Sequence, residues 1–94
     1  MKRQGDLLIT KVNSIPQGAV KQNNRILAEG EATGHMHELN KGTVYEESGI
    51  LYFKIEEPAT LNHPEHKPVA FDPGEYKVVR QREYEPRSWR YVRD

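Results

Sequence analysis

The chain has 94 residues, with 14 basic and 14 acidic side chains, so its formal net charge is +0. Only 35% of residues are hydrophobic and 30% are charged, with mean hydropathy −0.89 and pI about 6.9. That balance argues against electrostatic capture of nucleic acid or anionic membrane. No apolar run approaches the roughly 18–20 residues of a membrane span.

A chain of this length is expected to form a single domain over residues 1–94. Its core must be thin, or extended by a second subunit or a bound metal. Cysteine is absent, so there is no disulfide framework, and any metal site must use nitrogen and oxygen ligands. The N-terminal residues lead into a short apolar stretch without the long h-region of a signal peptide. The expectation is a soluble, cytoplasmic protein with no membrane contact.

The periodicity along the chain is that of strands. Residues 7–12 read as a first strand, ending at the turn-rich segment 13–18. Asn23-Asn24 marks a further turn, after which residues 25–33 carry Ile26 and Leu27 into a stretch of small residues. Gly34 marks a bulge or tight bend. Residues 43–47 and 50–55 read as a hairpin with Ser48-Gly49 at its tip, where glycine tolerates positive φ. Residues 59–61 form a short strand running toward Pro64. Pro58, Pro64 and Pro68 exclude a regular central strand through this region. Residues 69–71, the turn Asp72-Pro73-Gly74, a longest strand over 75–84 and a last strand over 89–92 complete the chain. No amphipathic helix is evident. The fold class is therefore all-β, a small single-domain β-barrel or β-sandwich of short antiparallel strands.

All four histidines fall in two pairs, His35 with His37 and His63 with His66. On an extended segment, alternate side chains share a face, so Thr33, His35, His37 and Leu39 point one way. Gly34, Met36 and Glu38 point the other. A His-x-His pair can thus aim both imidazoles at one ion. The second pair has two intervening residues, and Pro64 argues for a turn at which both rings converge. His35, His37, His63 and His66 are therefore the candidate metal ligands, and zinc is the leading ion. Glu38, Glu46, Glu47 and Glu65 are candidate ligands, partners of ligands or bases. Glu65 lies inside the second pair and is the first candidate catalytic base. Three histidines with an open position suit hydrolysis by a metal-bound water. Three histidines plus a carboxylate suit iron, manganese or nickel. The competing view is that these are solvated side chains around a proline turn, or that a metal serves only as a structural staple.

Gly30 with His35-Met36-His37, followed by Pro73-Gly74, resembles a degenerate cupin pattern. The glycine-to-histidine spacing is one residue short. The acidic ligand is missing unless Glu46 substitutes, and the later histidine precedes the proline-glycine turn. The resemblance implies ligand roles for His35 and His37 alone. Three stretches, residues 27–37, 56–66 and 73–84, cover about one-third of the chain. Over them it resembles a group of short bacterial and phage-encoded proteins, a likeness that implies no particular activity.

From Tyr76 onward, Lys77, Arg80, Arg82, Arg87, Arg90 and Arg93 interleave with Tyr76, Tyr84, Trp89 and Tyr91. Arginine with aromatic platforms binds single-stranded nucleic acid. The second function class is thus a metal-free interaction module, a phage accessory or nucleic-acid-binding protein using Arg80, Arg82, Trp89 and Arg90. The same residue types suit self-association, and a structural homo-oligomer is the third.

Overall fold

The computed structural model describes residues 1–29 and 35–80, which form ten strands and no helix. In chain order these are β1 (Lys2–Gln4), β2 (Leu7–Val12), β3 (Val20–Lys21), β4 (Ile26–Glu29) and β5 (Met36–Leu39). They continue as β6 (Thr43–Glu47), β7 (Ile50–Ile55), β8 (Ala59–His63), β9 (His66–Phe71) and β10 (Gly74–Arg80). The strands build two antiparallel sheets. One has six strands in the order β1-β2-β10-β7-β6-β3, the other four in the order β4-β5-β8-β9. Hydrogen-bonded ladders run within each sheet and do not close around both, so the architecture is a sandwich and not a barrel.

The β6–β7 hairpin follows directly from its tip. Ser48 and Gly49 have φ of 55° and 80°. A two-residue turn with both central residues at positive φ carries the twist that flanking strands need. The 75–84 strand is expected to be the longest, and its described part, β10, is the longest strand among the described residues. It lies between β2 and β7. Alternation along β10 buries Tyr76 and Val78. Across the ladder these face Phe53 and Ile9.

Two strands were not expected from the sequence, β1 and β3. A Gly5-Asp6 pair joins β1 to β2, with Gln4 paired to Leu7 and Gly5 at φ 60°. Glycine at the first central position suits a type II′ hairpin turn. β3 has only two residues and sits at the sheet edge against β6.

Between the sheets lies a continuous apolar core. Leu7, Ile9, Val44 and Phe53 from the larger sheet meet Leu39, Leu61 and Phe71 from the smaller. Phe53 stacks on Tyr76 at 4.9 Å and meets Phe71 edge-on at 5.5 Å. This aromatic trio ties β7 and β10 to β9 across the sandwich.

Pro68 was expected to exclude a regular central strand, and its surroundings show how the chain accommodates it. β9 is an edge strand, where a missing N–H is tolerated. Its register with β8 shifts between Leu61, opposite Val69, and His63, opposite His66. Lys67 and Pro68 together therefore oppose Asn62, as in a β-bulge. That irregularity sits beside the histidines.

Candidate metal centre

The two histidine pairs meet. His37 is on β5, His63 ends β8 and His66 begins β9. Pro64 and Glu65 form the two-residue turn of the β8–β9 hairpin, so His63 pairs directly with His66. β5 and β8 pair Glu38 with Asn62 and Leu39 with Leu61. One more step in that register puts His37 opposite His63. The three imidazoles thus form a row across three adjacent strands. Ring centroids are 4.3 Å apart for His37–His63, 4.5 Å for His63–His66 and 5.9 Å for His37–His66. His35, just before β5, adds a fourth ring 6.0 Å from His63.

His37 is the buried member, at 5% exposure, and Gln4 is the buried polar residue beneath it. Gln4 Oε1 lies 2.8 Å from His37 Nδ1. Gln4 Nε2 donates to Leu61 O at 2.9 Å and Lys67 O at 2.8 Å. Leu61 is on β8 and Lys67 in the bulge of β9, so one side chain bridges both strands of the hairpin and also engages the imidazole.

Burial pushes the His37 imidazolium down to about 4, and His63 adds to this while Asp6 opposes it. The pKa of His63 is also lowered, first by burial and then by His66 and His35, against Glu65 and Asp6. Both rings are neutral near pH 7, the form that ligates a metal.

The β1–β2 turn closes the inner side. A Cβ added at Gly5 would lie 3.0 Å from His66 Nε2 and 3.3 Å from His37 Cε1. Gly5→Ala should therefore cost about 1–3 kcal/mol, from the positive φ together with the crowding. Chemical denaturation checks the cost. Displaced His37 and His66 ring resonances would locate it in the cluster, and unchanged rings with full stability would contradict this packing.

Asp6 pairs with Arg80 at 3.3 Å, and Arg80 Nη2 donates to Glu29 O at 3.1 Å. Arg80, expected on a nucleic-acid surface, is thus engaged beside the cluster. Arg82, Trp89 and Arg90 lie outside the described residues. On the open side, Glu65 Oε2 is 3.6 Å from His35 Nε2, and its side chain is largely exposed. Glu46 and Glu47 lie on β6 in the other sheet and are not among the charges acting on His37 or His63. Glu38 lies on the outer face, in a groove of about 590 Å³ that also includes Arg25, Met36 and Asn62. His63 and Pro64 form the border of this groove with the cluster.

The four rings converge, but not as a finished coordination sphere. Among the described residues, no three His, Cys, Asp or Glu side chains stand arranged to hold a metal ion. His63 Nδ1 accepts the backbone N–H of Glu65 at 3.0 Å, so one of its nitrogens is already used.

Gln4, Gly5 and Asp6 were not expected at the site. The Gly5-Asp6 dipeptide is a recognisable hairpin signal and would have placed Gln4 opposite Leu7. Nothing local in the sequence places Gln4 beneath His37. No helix of the described residues is long and apolar enough to cross a membrane.

Residues 3–81 match the model of a family described as a domain of unknown function, DUF8820. No curated protein and no solved structure matches the chain.

Proposed function

The chain belongs to the DUF8820 family, and we propose that its histidine cluster binds one transition-metal ion, zinc foremost, through His37, His63, His66 and His35. The observation that carries this reading is the convergence of all four histidines from three separate segments onto one end of the smaller sheet. Two of the rings also have depressed pKa values, which keeps them neutral. An all-nitrogen set without thiolate suits zinc, nickel or copper. Bound across three strands, the ion would staple the bulged β8–β9 edge to β5. If a water completes its sphere, Glu65 on the open side is the base best placed to take a proton.

Elemental analysis and calorimetric zinc titration of protein without a histidine tag test this. The expected result is about one zinc per chain, reversible by chelator, with uptake greatly weakened in His37→Ala. A stoichiometry near zero, together with wild-type stability of His35→Ala, would contradict it. A metal-free module that binds single strands would instead show affinity falling steeply with salt. A structural oligomer would show in sedimentation.

A further inference from the structure

The hydrogen bonds around the cluster assign a proton position to two of the rings. Leu61 O and Lys67 O are carbonyls and can only accept, so the side-chain nitrogen of Gln4 must face them, at 2.9 and 2.8 Å. Gln4 Oε1 is then fixed toward His37 Nδ1, at 2.8 Å. An amide oxygen only accepts, so Nδ1 of His37 must carry the hydrogen. In a neutral ring the lone pair is then on Nε2. The same logic gives the opposite form for His63. The Glu65 backbone N–H donates to its Nδ1 at 3.0 Å. That nitrogen carries no hydrogen, and the proton of the neutral ring is on Nε2.

We infer that Gln4 is a positioning residue that holds His37 with its Nε2 lone pair free for the ion, while the Glu65 amide holds His63 in the opposite form. His63 therefore joins the ion through Nε2 only when the Pro64–Glu65 turn gives up its hydrogen bond. This rests on the metal reading above. It makes the turn the moving part of the site. Gln4 is well suited to its role because two carbonyls, Leu61 O on β8 and Lys67 O in the bulge of β9, lock its amide orientation. A partner of a ligating histidine commonly contributes 10–100-fold to metal affinity.

Long-range nitrogen–proton NMR of the full metal-free chain near pH 8 reads both tautomers directly. The expected result is Nδ1–H for His37 and Nε2–H for His63. One equivalent of zinc should leave His37 unchanged, switch His63 to Nδ1–H and shift the Glu65 amide. In Gln4→Met, zinc affinity should fall at least about tenfold, and His37 should lose its tautomer bias. Because the wild-type spectra need no substitution, a poorly folded variant would not rescue the proposal. Nε2–H on His37 would overturn it, as would zinc binding that leaves His63 and the Glu65 amide unmoved. Both tautomers as expected but no zinc uptake would overturn the metal reading instead, and with it any role of Gln4 toward an ion.

Discussion

Acidifying the metal-free protein from about pH 7 to about pH 4 should lower its unfolding free energy by about 3 kcal/mol through His37 alone. Burial holds this imidazole at a pKa of about 4, whereas it returns to 6.5 when the chain unfolds. The folded pKa is depressed, so the unfolded chain binds the proton first as pH falls. The contribution is fully present above pH 6.5 and is lost progressively as pH drops toward and through 4. His63 shifts in the same direction and adds to the slope. Urea denaturation across that window, on wild type and on His37→Gln, measures the effect. The variant should be less stable at neutral pH and distinctly flatter with pH. Equal slopes in the two proteins would show that His37 is not held neutral by its surroundings. Zinc, by competing with protons for neutral imidazole, should steepen the dependence further.

Phe53→Ala should destabilise the domain by about 3–5 kcal/mol. Phe53 has no exposed surface, and its ring is shared between Tyr76 on its own sheet and Phe71 on the other. Truncation removes buried area and leaves a cavity between the layers, where two rigid aromatic neighbours cannot collapse to fill it. Small domains have little stability in reserve, so much of it would be lost. Thermal melting against Val20→Ala as a control decides the matter. Val20 is 64% exposed on an edge strand, and its truncation should change stability by only about 0.5 kcal/mol. Similar effects from the two substitutions would deny the aromatic trio its role in joining the sheets.

What the sequence reveals about this fold depends on range. The β6–β7 hairpin is legible because its turn chemistry is local, in Ser48-Gly49 between two alternating segments. β2 is legible for the same reason, with Leu7 and Ile9 inward. At the site, alternation predicts that His37 and Leu39 share a face, and both are buried. Pro64 signals the turn that makes His63 face His66. Two features depend on distant partners and are hidden. β1 is short and polar, and its buried Gln4 bonds carbonyls on two strands far along the chain, Leu61 O and Lys67 O. The choice between barrel and sandwich likewise depends on which strands pair across the fold, which alternation alone does not encode. Arg80 reads as part of a basic surface along the chain, yet Asp6 in the first turn claims it.

Zinc titration of untagged wild-type protein, followed by both heat and thermal melting, tests the histidine cluster most directly. Uptake of about one equivalent should raise stability by about 2.7 kcal/mol once free zinc reaches about one hundred times its dissociation constant, and chelator should reverse the gain. No heat, no bound zinc and an unshifted melt at neutral pH would mean that the four converging imidazoles are not a metal site.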